Sequence, residues 1–496
     1  MYFLGLDIGS SSVKLAVIDG ESGERVANAT YPPQEMAIQA PQSGWAEQAP
    51  EDWWDAIKKG CAQMWQAKPE LKDKIGAIGI SYQMHGLVAV DDKGEVLRPS
   101  IIWCDSRAVG TGEAACEALG RDWCMEHLLN SPGNFTAAKL RWVQENQPDI
   151  YARIDKILLP GDYIALKLTG ECTTTASGLS EGVMWDFSEN QVASKLLDHW
   201  QIDPSLVARQ VPNLGVSGEV SEQAAAELGI NAGAKLAFRA GDQVANAFSL
   251  NVLEPGEVAT TAGTSGVVYA VTDKNIADPD QRINTFLHVN KDAQAHNGLL
   301  ACINGAGRMN SWLRNVLSAG GDVSYPKLNE FAEQAEIGSD GLTVHPFGNG
   351  AERLLQNRQL SGQMSGLDLN RHGLPHLARA TQEGVACAMN MGFELIKGLG
   401  ASTNLVRAGH SNMFLSPLFS QAFVNMTQAP LELYQTDSAD GVARAAAWGS
   451  DYYSNRTDVF RSLTRIKVIE PEAALQSQYQ AVYGRWREHL DRLLAQ

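Results

Sequence analysis

Residues 4–19, LGLDIGSSSVKLAVID, and residues 258–273, VATTAGTSGVVYAVTD, align without a gap at an offset of 254. Gly9/Gly263, Ser11/Ser265, Val13/Val267, Ala16/Ala270, Val17/Val271 and Asp19/Asp273 are identical across the pair. Each copy runs from an apolar stretch through small residues into a second β-branched stretch. That pattern reads as a β-hairpin whose tip offers backbone N–H groups. Gly/Ser tips are common, and sixteen residues can match by chance. Repetition at half the chain length nevertheless points to two related halves.

Outward from the hairpins, apolar strands alternate with amphipathic helices, the pattern of sheets covered by helices. Ile75–Ser81 is a short apolar run that follows a helix carrying Trp53, Trp54, Ile57, Cys61, Met64 and Trp65 on one face. Lys156–Pro160 and Ala234–Ala240 read as further strands. Ala380, Gly384, Cys387, Met391 and Leu395 mark one later helix, and Leu475, Tyr479, Val482, Trp486, Leu490 and Leu493 mark another at the end of the chain. These stripes are core or docking surface. The turn formers of Asn251–Glu257 precede the second hairpin, so the halves are expected to be residues 1–250 and 251–496, with a cleft between them for ligand.

At 496 residues the chain is long enough for two to four domains of about 150 residues. A 44% hydrophobic and 20% charged composition excludes disorder and fibrous repeats. Lys+Arg 40 against Asp+Glu 57 gives a net charge of −17, which repels nucleic acid and anionic membranes, so any phosphate must be gripped locally. The seven cysteines are scattered and never spaced C-x-x-C, which suits reduced thiols in a cytoplasm and argues against a zinc site. No signal peptide and no membrane span is read, and the expected location is cytoplasmic.

No G-x-x-x-x-G-K-[ST] occurs, and Gly305-Ala306-Gly307 does not continue as a dinucleotide fingerprint. The tips Gly9-Ser10-Ser11-Ser12 and Gly263-Thr264-Ser265-Gly266 remain, able to cradle phosphate from two sides. Asp7, just before the first tip, either satisfies its own turn or holds phosphate-bound Mg²⁺. Asp242 is by position a helix N-cap, and at a strand's C-terminal end it could take a proton from an attacking hydroxyl, with Gln243 bonding the hydroxyl's owner. Gln83-Met84-His85-Gly86 also lies at a strand's C-terminal edge, and Trp103-Cys104-Asp105-Ser106-Arg107 reads as a surface ion pair.

Together these pieces resemble the FGGY family of carbohydrate kinases, over about residues 2–450. The match runs through DIGSSSVK (7–14), GWAEQAPEDWW (44–54), QMHG (83–86), IIWCDSRA (101–108), FTAAKLRWV (135–143), LLPGDYIALKLTG (158–170), AGDQ (240–243), TAGTSG (261–266) and the stretch 362–383. The resemblance implies two α/β domains of the actin-like, ribonuclease H-like ATPase fold with an interdomain cleft, the first half holding sugar and the second ATP. It implies Asp242 as general base, Asp7 and Asp242 toward Mg²⁺, and Gly9, Ser10, Ser11, Ser12, Gly263, Thr264 and Ser265 around the phosphates. Gly307, Ser311, Gly409 and Asn412 would hold adenosine; Met84, His85, Asn134, Asp242 and Gln243 would hold sugar. The QMHG form points to a ketopentose, D-xylulose, converted to its 5-phosphate. Glycerol, ribulose and gluconate stand as alternative acceptors, and an actin-fold nucleotide switch that binds a protein stands as the alternative class. ATP and sugar are the implied partners, and a homodimer is compatible with them.

Overall fold

The computed structural model describes residues 1–289 and 296–496. Thirteen strands build two main sheets. The first contains β1 (Tyr2–Ile8), β2 (Val13–Asp19), β3 (Arg25–Tyr31), β4 (Ile75–Tyr82), β5 (Leu214–Glu219) and β6 (Lys235–Gly241), in the order β5-β6-β4-β1-β2-β3. The second contains β7 (Gly256–Ala262), β8 (Gly266–Thr272), β9 (Asn284–Leu287), β10 (Asn297–Ile303), β11 (Thr403–Gly409), β12 (Leu431–Gln435) and β13 (Thr464–Ile469), in the order β9-β10-β8-β7-β11-β12-β13. Each sheet has a hairpin, β1–β2 or β7–β8, extended on one side by an antiparallel strand and on the other by two parallel strands. The echo in the sequence is therefore an echo in topology. The run Lys156–Leu158 pairs with Val88–Val90 outside both main sheets.

The helices used below are α1 (Pro50–Ala67), α2 (Val109–Leu119), α3 (Thr136–Asn146), α4 (Ala176–Glu181), α5 (Asp242–Ser249), α6 (Ala306–Leu317), α7 (Leu374–Gly398), α8 (Ser438–Gly449) and α9 (Ala473–Leu494). Both faces of the first sheet are buried, which is why its strands read as nearly continuous apolar runs. Leu4, Leu6 and Ile8 share a core with the tryptophan-rich face of α1. The alternate residue Phe3, with Ala77 of β4, shares a different core with Val442 and Ala443 of α8 and with Val244 and Phe248 of α5. That second core continues into Ala259, Val267 and Tyr269 of the other sheet. On that sheet's far side Val258 and Val268 pack with Val385 and Met389 of α7. The order of layers is α1, first sheet, α5 with α8, second sheet, α7.

Helix α8 belongs to the second half of the chain yet lies on the sheet of the first. Glycine makes that possible. A Cβ on Gly5 would fall 2.0 Å from the Ala439 carbonyl oxygen, and one on Gly441 would fall 2.1 Å from the Ser249 Cβ of α5. On the opposite flank, side chains of the first half close the edge of β9: Asn130 brackets Thr285, and Ser177 and Ser180 bond the carbonyl and N–H of Leu287. An otherwise open strand edge becomes a seam between the halves.

The two hairpins differ in one detail that the gapless alignment does not reveal. The last pair of the first is Ile8↔Val13, and of the second Ala262↔Gly266. The second tip is one residue tighter, because Gly266 joins its strand, whereas Gly9 N–H bonds the Ser12 carbonyl to close a longer turn.

The close approach of α8 yields a pair of expectations of opposite sign. Gly5→Ala must push two backbones apart, at a cost of about 3 kcal/mol, and lower the melting temperature by about 6 °C or more. Gly110→Ala lies on exposed α2 with nothing within 4 Å of a new Cβ and should stabilise by about 0.5–1 kcal/mol. Equal melting temperatures for the two variants would contradict the packing described.

Candidate active site

A cavity of about 420 Å³ opens between the halves, and both hairpin tips reach it. Its lining includes Asp7, Gly9, Ser10, Ser11 and Ser12 from the first hairpin, Asp242 and Gln243 from α5, and Thr264 from the second tip. Of the remaining residues expected at a phosphate site, Gly263 and Ser265 flank Thr264 within the second tip. Gly307 and Asn412 back that tip: a Cβ on Gly307 would fall 1.8 Å from the Gly263 carbonyl oxygen, and one on Gly263 3.5 Å from Asn412 Nδ2. Ser311 turns its hydroxyl onto the Arg308 carbonyl of its own helix, and Gly409 ends β11.

Asp7 is placed by pairing on both sides, with Lys14 opposite it on β2 and Ser81 opposite it on β4. Ser81 Oγ donates to its carboxylate at 2.9 Å. Burial raises the Asp7 pKa above the usual carboxylate value, while Lys14, Ser81 and Ser438 oppose the rise. The first tip is held from behind by Gln48, whose amide donates to the Ser10 carbonyl at 2.7 Å.

Asp242 is the first residue of α5, and its cap is Gly241, the last residue of β6. The expectation of an N-cap is corrected by one position: the strand pairs as far as Gly241↔Tyr82, which leaves Asp242 free to turn into the cavity at the start of the helix. Burial, reinforced by the charge of Asp7, pushes its pKa up to about 7, with Gln243 opposing. Two half-buried carboxyls that each resist ionisation, beside serine and threonine hydroxyls, are a donor set suited to a hard divalent cation, whose charge would relieve both. Among the described residues no cluster of three or more His, Cys, Asp or Glu offers a protein-only metal site.

Of the sugar candidates, Asp242 and Gln243 line this cavity, and Met84, His85 and Asn134 are not among its lining residues. Met84 is buried against Gly241, directly before Asp242. His85 has a left-handed main chain with φ 64°. Its Nδ1 lies 2.7 Å from the Glu181 carbonyl oxygen, which can only accept, so Nδ1 carries the proton and Nε2 is left as an acceptor. Burial, assisted by Lys139, lowers its pKa to about 3, and the ring stays neutral at any physiological pH. Asn134 donates to the Asp105 carbonyl, and its Oδ1 has no partner among the described residues.

The expected surface ion pair at Asp105 and Arg107 is instead buried. Their side chains are 0% and 1% exposed, Arg107 also binds Glu47, and its guanidinium stacks on Trp45 and Trp142. The short motif looked polar and local, and nothing in it signals the two tryptophans that cover it.

Six further cavity residues went unassigned from sequence: Lys14, Gln83, Trp103, Asn246, Thr261 and Ser438. Lys14, Gln83 and Trp103 lie inside motifs already singled out, and Asn246 is four residues from Asp242 on the same helix face, so pairing and helical spacing could have found them. Ser438 opens α8 and has no local signal. Gln83 is 3% exposed, and its Oε1 has no partner among the described residues, an acceptor left for ligand.

The chain matches the N-terminal domain model of the FGGY family of carbohydrate kinases over residues 2–249 and the C-terminal domain model over residues 258–450. It is 28% identical over 498 residues to a xylulose kinase of Escherichia coli, covering 100% of this chain and 99% of that one. A crystal structure of a xylulose kinase from Rhodospirillum rubrum superposes with a TM-score of 0.87 at 26% identity, covering 100% of both chains. A Plasmodium falciparum glycerol kinase with ADP has a TM-score of 0.88 at 18% identity, covering 100% of this chain and 98% of that one, and shows the fold alone.

The raised pKa of Asp242 has a consequence for stability. A carboxyl at about 7 in the folded chain and 3.8 when unfolded destabilises the fold as pH rises through that window, by up to about 4 kcal/mol. Asp242→Asn removes the effect, so the variant should melt above the native chain at pH 8.5, and the gap should shrink by more than half at pH 5. A gap independent of pH would contradict the assignment.

Proposed function

The chain belongs to the FGGY family of carbohydrate kinases, and from that premise we propose that it transfers the γ-phosphoryl group of ATP to the terminal 5-hydroxyl of D-xylulose, with Asp242 as general base. The observation that carries the reading is the meeting of both hairpin tips with Asp7 and Asp242 in one cavity between the halves. The choice of D-xylulose is supported by the full-length likeness to xylulose kinases, and Met84 packs against Gly241, directly before Asp242. The fold by itself does not choose the sugar, since a glycerol kinase superposes equally well.

In this reading the backbone N–H groups and hydroxyls of Ser10–Ser12 and Thr264 grip the phosphates, Gly9 closing the turn that presents them, and the N-terminus of α8 at Ser438 adds its aligned N–H groups. Met84, His85 and Gln243 orient the sugar so that its hydroxyl lies in line with the γ-phosphorus. Asp242 accepts the hydroxyl proton as the new O–P bond forms and ADP departs. Burial and the charge of Asp7 both raise the affinity of this carboxylate for a proton. Asp7 and Asp242 would hold Mg²⁺, which when bound offsets the negative charge on the transferring phosphoryl group. Trp103, half-exposed at the rim, together with approach of the halves, excludes competing water.

Asp242→Asn keeps size and position but cannot accept a proton, so kcat should fall by about 10² or more while the D-xylulose dissociation constant changes little. A coupled ADP-release assay over D-xylulose, L-xylulose, D-ribulose, L-ribulose, glycerol and gluconate tests base and acceptor together, with D-xylulose expected to give the highest kcat/KM. Near-native kcat in the variant would remove Asp242 from the chemistry. ATP hydrolysis indifferent to every sugar would favour a nucleotide switch.

A further inference from the structure

Lys139 lies on α3 with no exposed surface. Its Nζ donates to the main-chain carbonyl of His85 at 2.8 Å and to that of Ile102 at 3.0 Å. No carboxylate among the described residues forms an ion pair with it; the nearby Asp105 is paired with Arg107. Burying an ammonium against carbonyls alone is expensive, and a leucine or methionine of similar volume would serve a core better. Stability therefore does not explain this side chain. What its protons do is join two loops, residues 83–86 and 102–107, which come from different parts of the first half and each send residues to the cavity, Gln83 from one and Trp103 from the other.

We infer that Lys139 is a positioning residue for sugar recognition, its two N–H bonds fixing the left-handed main chain of His85 against the Ile102 loop so that the His85 ring is presented to the sugar. This rests on the proposed reading that His85 contacts sugar.

His85 needs such support. A non-glycine residue at φ 64° is held there only by its surroundings. The ring has its own supports, the Glu181 carbonyl on Nδ1, Phe135 edge-on at 4.8 Å and Phe286 tilted at 5.3 Å. The main chain is held through its carbonyl by Lys139. Phe135 immediately precedes α3, so one short helical segment secures both the ring and the backbone of the histidine. Burial lowers the Lys139 pKa to about 7, with the charge of Asp105 opposing. Charged or neutral, the amine keeps the two protons that two carbonyls require, so the clamp persists on either side of neutrality.

The test is a double-mutant cycle on the full-length enzyme, with D-xylulose as the varied substrate and MgATP saturating, then the reverse. Lys139→Met keeps the volume and removes both donors. It should raise the D-xylulose KM about tenfold or more while the ATP KM stays within about twofold. His85→Ala should raise the sugar KM alone, and adding Lys139→Met to it should cost nothing further, because the group being positioned has gone. Lys139→Gln, with two amide N–H donors on a chain one bond shorter, should fall between the native enzyme and Lys139→Met, and replaces it in the cycle if the methionine variant does not fold. A sugar KM within twofold of native in the lysine variant, or effects that multiply in the double variant, overturns the inference while His85→Ala still raises the sugar KM. An unchanged sugar KM in His85→Ala instead overturns the reading of His85 itself, and the inference with it.

Discussion

Backbone-to-backbone contact between α8 and the first sheet is the constraint on which the arrangement rests. Gly5 admits the helix to the sheet, and Gly441 admits it to α5. With no side chains as spacers, α5 and α8 occupy one layer between two sheets and share one core with both. The consequence at the site is geometric. Both helices begin in the same cavity, α5 with Asp242 and α8 with Ser438. Two helix N-termini therefore face the place where two hairpin tips meet. Any rotation of one half on the other about the α5–α8 contact must change how far apart those four donors stand.

This architecture resolves a difficulty posed by composition. A chain with net charge −17 has no general attraction for a nucleotide. Among the described residues the cavity lining contains a single lysine, Lys14, beside two acids, Asp7 and Asp242. In the proposed reading, grip on a polyphosphate comes from oriented dipoles rather than from a basic patch, the donors being backbone N–H groups and hydroxyls. The same burial that strengthens those dipoles also pushes Asp242 up to about 7, where a carboxylate becomes a serviceable base near neutral pH. The strain in His85 belongs to the same economy, since an unfavourable main-chain conformation is maintained by a buried lysine that contributes nothing obvious to stability.

Much of this was legible in the chain, for identifiable reasons. Hairpins announce themselves locally, by apolar runs around small residues, so the duplication of β1–β2 in β7–β8 could be read directly, and the stripe on α1 fell on its buried face as helical spacing requires. Register was less accessible: the tips differ by one residue in pairing because Gly266 can join a strand or a turn, and sequence does not choose. Asp242 was read one place early for a related reason, since where β6 stops depends on its pairing with Tyr82 rather than on Asp242 itself. Asp105 and Arg107 look like surface charge until Trp45 and Trp142 are folded over them. Ser438 is the extreme case. It reaches the cavity only because a helix from late in the chain lies on a sheet from its beginning, and no window of sequence contains both.

If the site is completed only when the halves approach, a ligand held by one half must favour binding to the other. Titration calorimetry of D-xylulose and of a non-hydrolysable ATP analogue, each alone and in the presence of the other, measures this directly. The account predicts mutual tightening of about 5- to 100-fold, equal in both directions by linkage, with a smaller radius of gyration in the ternary complex by small-angle scattering. Two dissociation constants that are each indifferent to the other ligand, with an unchanged radius, would contradict it.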